Sequence, residues 1–496
     1  MSEPENRRTA VVIGGGVGGL AAAIRLQRAG VAVRLFERAA TVGGKLREVG
    51  LGGKRLPGGP SVFTMRGVFE ELFDGKLDAW LELLPLDPLC RHFFPDGSVL
   101  DLYSDEEKSA AAIEAFAGQA NADGYRRFRK HAARIYEVVR GPFMENPVPS
   151  WAEFLRPRIL MQMPRIDALR TLWTALEDMF PDPRLRQLFG RYATYNGSSP
   201  YHAPATLAVI AHVENADGIF APRGGIYRLA EALLGQARAL GVEVVCNADV
   251  TEVLLEGKQR RAVGIRLSDG RVERADLVIA NCDVAHLYGL LGEAGEKPAR
   301  KYAREDLSLS ACLLLCVADK APLALAHHNV FFSPDYPREF SELVDERRPP
   351  SDPTVYLCAE DVHEQGPQGY FFLANAPALQ KQGADRDWAT EGPALRTRML
   401  AVLERYGWKL QPTCEELVPP TEFARLFPSS KGALYGLASN SRMAAFKRPP
   451  NQVPHTERLY AVGGTVHPGA GLPMTCLSAR IAVTLALAEL GVERIS

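Results

Sequence analysis

The sequence predicts an α/β fold in which one domain is interleaved along the chain with a second, α+β domain. Three observations predict it. A strand, a glycine-rich turn, a helix and a second strand follow one another at 9–38, β-branched residues alternate with turns at 241–284, and a second glycine-rich strand-to-helix turn lies at 459–483. Such periodicities and breakers are the primary local signals of strand, turn and helix.

The first element is "TAVVIGGGVGGLAAAIRLQRAGVAVRLFER". An apolar strand, Ala10 to Ile13, leads into Gly14, Gly16 and Gly19 in GxGxxG spacing, with Gly18 between them. An alanine-rich helix then runs to Ala29, and a second strand from Ala32 to Phe36 ends on Glu37. The glycines differ in what they permit. Gly14 allows the tight turn, Gly16 lets the backbone approach a pyrophosphate, and Gly19 lets helix and strand pack closely. Glu37 stands 18 residues beyond Gly19, where a carboxylate accepts from ribose hydroxyls and disfavours a 2′-phosphate. The pattern is a Rossmann-type dinucleotide site.

Beyond the second strand, "RAATVGGKLREV" places Gly43 and Gly44 beside Arg38, Lys45 and Arg47, and "LPGGPSVFTM" carries Gly59, Pro60 and Ser61. From about 70 to 220 the chain reads as helices with proline breaks. Residues 241–284 read as a strand, a small hairpin and a return strand, Leu277 to Ala280, with Val250 at the head of the hairpin. From about 285 to 425, strand-like runs at 309–319, 329–333, 354–361 and 369–378 predict an antiparallel sheet covered by helices. The closing strand, Leu459 to Val462, meets Gly463, Gly464 and Thr465, and a helix begins near Leu472, Pro473 and Met474.

Composition excludes several classes of function. The chain has 496 residues, 46% apolar and 24% charged, with a formal net charge of −1. That balance is globular and lacks the basic excess of a nucleic-acid binder, so no nucleic-acid partner is expected. Eight cysteines are scattered without CxxC pairs and the N-terminus has no signal-peptide pattern, so reduced thiols and no metal are expected. Cys312 and Cys316 read as strand packing. No stretch approaches the ~18 apolar residues of a spanning helix. Residues 150–180 nonetheless mix Trp151, Phe154, Ile159, Met161 and Trp173 with Arg156, Arg158, Arg165 and Arg170. This pattern suits a lipid interface and equally suits two ordinary helices around Pro157 and Pro164.

Taken in order, Gly14 to Gly19, Glu37, Gly43/Gly44, "GGPSV", "SSPYHAPA", "PRGG" and "GGTVHPGAGLPM" resemble the bacterial carotenoid desaturases of the phytoene desaturase family, over nearly the whole length. Pro473–Met474 and "CRHFFPDGSVLDLYSD" are most similar to its 1-hydroxycarotenoid 3,4-desaturase branch. The resemblance implies an amine oxidase-like flavoprotein with a discontinuous FAD-binding domain at 1–70, 215–300 and 425–496. It further implies a helical, membrane-contacting segment at 71–214 and a substrate-binding sheet with helices at 301–424. Pro57 departs from the family pattern, standing where an aspartate is usual.

The cofactor-binding residues so implied are Gly14, Gly16, Gly18, Gly19, Glu37, Arg38, Gly44, Lys45, Gly59, Pro60, Ser61, Val250, Gly463, Gly464, Thr465, Leu472, Pro473 and Met474. The implied reaction is FAD-dependent desaturation of an acyclic hydroxylated or methoxylated carotenoid by hydride transfer to flavin N5, with oxygen or a quinone as final acceptor. A cytoplasmic location on the inner face of a membrane is expected. Candidate catalytic groups are His467, Arg223 and Tyr195, with His202 beside them. His467 equally reads as a loop brace, and Arg223 as a partner for a carboxylate or backbone. Phytoene desaturase proper, a carotene cis–trans isomerase, an amine oxidase-like enzyme and a flavin-free prenyl-binding escort share the scaffold as rival readings.

Overall fold

A five-stranded parallel sheet organises the N-terminal, middle and C-terminal parts of the chain in the computed structural model, which describes residues 8–147, 161, 166–360, 365–379, 386–441 and 444–492. Its strand order is Leu459–Ala461, Leu277–Ala280, Thr9–Ile13, Ala32–Phe36 and Glu243–Val245. The register aligns the strand ends: Ile13 pairs with both Phe36 and Ala280, Ala280 with Ala461, and Phe36 with Val245. The residues that follow, Gly14, Glu37, Asn281 and Val462, therefore leave the sheet at one edge. In open parallel sheets that carboxyl edge is where ligands bind.

Both faces of this sheet are covered, which is why its strands read as apolar runs rather than as alternation. Helices Val17–Arg28, Arg228–Ala239 and Leu472–Leu490 pack on one face through Leu20, Ile24, Leu233, Ala479 and Val483. The meander Val250–Glu256, Arg261–Leu267 and Val272–Arg274 covers the other through Val253, Ile265 and Leu267. Among the described residues, Leu472–Leu490 is long and apolar enough to cross a membrane by length and composition, contrary to the sequence expectation. Most of it is buried inside the protein, so its apolarity is used as core.

The second sheet has seven strands, in the order Pro412–Val418, Ser310–Ala318, Gln368–Ala376, Val355–Cys358, His328–Phe331, Cys90–Phe93 and Val99–Leu102. It corrects the sequence reading twice. Two of its strands come from the segment expected to be helical, and Cys90–Phe93 joins His328–Phe331 in parallel, so the sheet is mixed rather than purely antiparallel. Ser310–Ala318 is buried along its whole length. Cys312, Leu314 and Cys316 face the helix Trp388–Arg405, while Ala311, Leu313 and Leu315 meet Val49 and Leu56 of the first domain. Cys312 and Cys316 are thus packing residues on one face, and burial pushes each thiol up to about 12.

Apart from these strands and a short one, Leu83–Pro85, that pairs with Phe220–Pro222, the regular structure described in 71–214 is helical. Gln119–Val139 buries Ala122, Tyr125, Phe128, Ala132, Ile135 and Val139, a helical stripe. Phe128, Phe180 and Phe189 interlock there, with the Phe180 and Phe189 rings stacked at 4.8 Å. Full burial of each such ring is worth roughly 1.5–3 kcal/mol. Of the expected lipid-facing stretch at 150–180, residues 150–160 and 162–165 lie outside the described residues. Within its described part, Met161 is 71% and Leu169 63% exposed, whereas Ile166 and Leu172 are buried.

Candidate functional site

A cavity of about 810 Å³ runs from the carboxyl edge of the parallel sheet to the seven-stranded sheet. Its first end is built by the glycine turn. Gly14 has φ +92°, and a Cβ there would lie 2.7 Å from the Asn281 carbonyl oxygen; a Cβ on Gly19 would lie 2.0 Å from the Gly14 carbonyl oxygen. Only glycine meets both demands. Gly19 accordingly packs beneath the turn, while Gly14, Gly16 and Gly18 line the cavity.

Charge is arranged around this turn. Glu37 Oε2 accepts from Gly15 N at 2.6 Å and Oε1 from Ala39 N at 2.8 Å, which fixes the carboxylate at the rim. Helices Val17–Arg28 and Leu472–Leu490 begin at Gly16 and Gly471 without a hydroxyl or carboxylate cap. At the first, the Asn281 amide carbonyl, in its better-bonded orientation, accepts from Gly16 N and Gly19 N at 3.3 and 3.2 Å. Gly16, Val17, Gly18, Gly471, Leu472 and Thr475 all line the cavity, so two helix N-termini open on it, each favouring an anionic or electron-rich ligand.

Between these ends, Lys45 Nζ donates to Leu434 O at 2.7 Å and sits over the Phe427 ring. Burial lowers its pKa, an effect countered by Asp283. Burial in turn raises the Asp283 carboxyl, countered by Lys45. Arg38 Nη2 donates to Leu426 O at 2.6 Å. Thr465 is buried, and its Oγ1 accepts from Val284 N at 3.1 Å, tying the C-terminal glycine loop to the start of the helix Val284–Leu290. Gly44, Gly59, Pro60, Val250, Gly463 and Gly464 complete this wall. Pro473 and Met474 stand in the first helical turn but do not line the cavity.

The far end is a different environment. Leu313, Val330, Phe371 and Leu373 make an apolar wall, interrupted by a few hydroxyls and one guanidinium. Ser61 Oγ lies 2.7 Å from Tyr356 Oη, which lies 2.8 Å from His328 Nδ1. Next to this chain, Arg191 Nη1 donates to Tyr195 Oη at 2.9 Å, and Glu214 accepts from Tyr195 at 3.0 Å and from Tyr192 at 2.6 Å. Arg191 and Glu214 form a buried ion pair, 5% and 2% exposed. Desolvation holds both Tyr195 and Tyr356 well above the ordinary phenol range and His328 well below the ordinary imidazole range, so all three are neutral. His327, His328 and Cys358 bring possible ligand atoms within 4.8 Å of one another.

Of the expected catalytic residues, only Tyr195 reaches this cavity. The structure places the other two elsewhere. His467 is 4% exposed and its Nε2 lies 2.8 Å from Asn146 O, which makes it the loop brace of its alternative reading. Arg223 has a 65% exposed side chain paired with Glu82 at 2.7 Å, because the turn after Phe220–Pro222 points outward. His202 is exposed and away from the cavity. Sequence reasoning missed Arg191, Glu214, Tyr356 and Asn281. The first three carry no motif. Asn281 was findable, as the residue directly after a parallel strand.

These features fit FAD. The turn excludes side chains where a pyrophosphate passes, a carboxylate waits at the second strand for ribose hydroxyls, and two helix N-termini flank a continuous cavity. Comparison with known proteins agrees. Residues 17–364 match the family described as flavin containing amine oxidoreductase. The chain is 38% identical to a hydroxyneurosporene desaturase of Rubrivivax gelatinosus over 99% of this chain and 95% of that one. It is 39% identical to a hydroxyneurosporene desaturase of Cereibacter sphaeroides over 97% of each. Among solved structures, an oxidoreductase from Methanosarcina mazei superposes with a TM-score of 0.62 at 16% identity, covering 95% of this chain and 98% of that one, a likeness of fold.

Proposed function

The chain belongs to the flavin-containing amine oxidoreductase family, and on that premise we propose that this FAD-dependent oxidoreductase desaturates acyclic carotenoids bearing a hydroxyl or methoxyl group at C1, forming the 3,4 double bond. The observation that carries the reading is the junction at Ser61, where the glycine-lined part of the cavity passes into an apolar wall of Leu313, Val330, Phe371 and Leu373. Two near full-length relatives named hydroxyneurosporene desaturase support the substrate class.

When bound, FAD supplies the hydride acceptor. Holding it would fall to Gly14, Gly16, Gly18, Glu37, Arg38, Gly44, Lys45, Gly59, Pro60, Val250, Gly463, Gly464, Thr465 and Leu472. The apolar wall excludes water and aligns an extended polyene, which is the main demand of the reaction. Loss of hydride from a carbon next to a conjugated chain leaves a delocalised cation, whose neighbouring proton is acidic enough for a weak acceptor. The neutral hydroxyl of Tyr195 suits that role by relay, its oxygen taking the proton while its own hydrogen passes to Glu214, and until then the Glu214 carboxylate keeps the Arg191 charge from opposing the cation. Oxygen or a quinone would serve as the final electron acceptor. Peripheral contact with the membrane that stores the substrate is part of the same reading, supported by exposed Met161 and Leu169.

The test is product analysis with purified holoprotein. Hydroxyneurosporene should yield a product two hydrogens lighter with longer-wavelength absorbance. An unchanged mass would indicate isomerisation, and turnover of amines but not of carotenoids would indicate an amine oxidase.

A further inference from the structure

The apolar end of the cavity contains a directional hydrogen-bond chain that the proposed chemistry does not require. It runs from buried His328 on one strand of the seven-stranded sheet, through Tyr356 on the neighbouring strand, to Ser61 on the loop after Pro57. His328 is 1% exposed, and among the described residues its Nε2 has no hydrogen-bond partner. Burial among aromatic rings and near Arg191 keeps the ring neutral. A neutral imidazole carries one proton, on either nitrogen. A proton on Nε2 would orphan a buried N–H, whereas a proton on Nδ1 orphans only a lone pair, and buried orphaned N–H groups are the rarer and costlier case.

This difference in cost favours the proton on Nδ1, which then fixes every following hydrogen. With the proton there, His328 Nδ1–H donates to Tyr356 Oη and Tyr356 O–H donates to Ser61 Oγ, and among the described residues the Ser61 hydroxyl hydrogen has no further acceptor. Ser61 lines the cavity where the cradle meets the apolar wall, so this donor faces the ligand space. A hydrocarbon there would leave the donor unpaired, at a cost of about 1–3 kcal/mol. An oxygen of the substrate would satisfy it.

We propose that Ser61 donates a hydrogen bond to the C1 oxygen of the substrate and so selects oxygenated over hydrocarbon carotenoids, with Tyr356 and His328 as positioning residues that set the direction of its hydrogen. This rests on the functional reading above. The C1 oxygen is three covalent bonds from C3, so its anchor must lie beside the reacting bond and not at the cavity mouth; Ser61 occupies the junction where reacting atoms must meet. Because Ser61 donates, a methoxyl oxygen serves as well as a hydroxyl. Tyr195 is less suited, since its hydroxyl hydrogen is already committed to Glu214.

The experiment compares hydroxyneurosporene with neurosporene on flavin-loaded enzyme, measuring kcat/KM and equilibrium binding by quenching of protein fluorescence. Ser61→Ala is expected to lower the hydroxylated-to-hydrocarbon ratio of both quantities by about 10- to 100-fold, with Ser61→Thr restoring it. His328→Leu should lower the ratio similarly, and His328→Asn, which keeps a donor near the Nδ1 position, should preserve it. Thermal midpoint and flavin content verify folding. Equal losses on both substrates, an unchanged ratio, or a perturbed flavin spectrum with no change in ratio would overturn the inference alone. A wild-type enzyme that desaturates no oxygenated carotenoid would overturn the functional reading and this inference together.

Discussion

The carboxylate of Glu37 and the backbone N–H of Gly15 are joined at 2.6 Å, across the space between the second strand and the glycine turn. A charge-assisted bond of this kind locks the acid in place before any ligand arrives. Glu37→Gln keeps the shape but removes the charge, and is expected to weaken FAD binding by about tenfold, read as flavin absorbance per protein after dialysis. Full retention by Glu37→Ala would show that the acid does not contact the cofactor.

Gly464 lies on the opposite wall, where a Cβ would be 3.3 Å from Ala470 Cα and Cβ. The two further methyl groups of valine must either push Ala470 away or enter the cavity. Gly464→Val should therefore purify without flavin while keeping its far-UV circular dichroism. Undiminished flavin content would remove the C-terminal loop from the site.

Glu214 compensates Arg191 inside the protein and accepts from two tyrosines. Glu214→Ala leaves a buried charge without its counterion, a change that costs about 3–5 kcal/mol. A clear drop in the denaturation midpoint is expected, larger than for Glu214→Gln. Equal midpoints for Ala and Gln would mean that the pair is not electrostatically coupled.

Glu339 is buried, and its carboxyl accepts from Thr354 N and Oγ1, behind the cavity wall. Desolvation raises its pKa to about 7 from 4.5. The folded state thus holds this proton more tightly than the unfolded chain, so the contribution is full below pH 4.5 and is lost as pH rises through about 7. The loss amounts to at most about 3 kcal/mol. Glu339→Gln should flatten the stability profile in that window and raise stability at pH 8. A slope identical to wild type would assign the pH dependence to other groups.

Several parts of this protein were legible in its sequence. Gly14, Gly16, Gly19 and Glu37 are constrained by their own turn and strand, and a local pattern reports local constraint. The strands at Leu277–Ala280 and Leu459–Ala461 were equally clear, because a strand covered on both faces is apolar throughout. The strands Cys90–Phe93 and Val99–Leu102 were hidden by neighbouring charges and prolines, and they form because a sheet edge from residues far along the chain is there to receive them. His467 and Arg223 were attractive by residue type and by nearness in sequence to glycine motifs, yet each turns away from the cavity.

The sequence by itself determined the cofactor half and its family, since glycine conformations and the spacing of an acid are properties of short segments. Only the tertiary structure decided which polar groups meet in the substrate half. Ser61 and Tyr356 are separated by 295 positions, and Arg191 meets Glu214 across a helical turn and a loop. No periodicity encodes such meetings. They arise when two sheets and a helical layer pack, and burial then sets which of the gathered groups stay neutral.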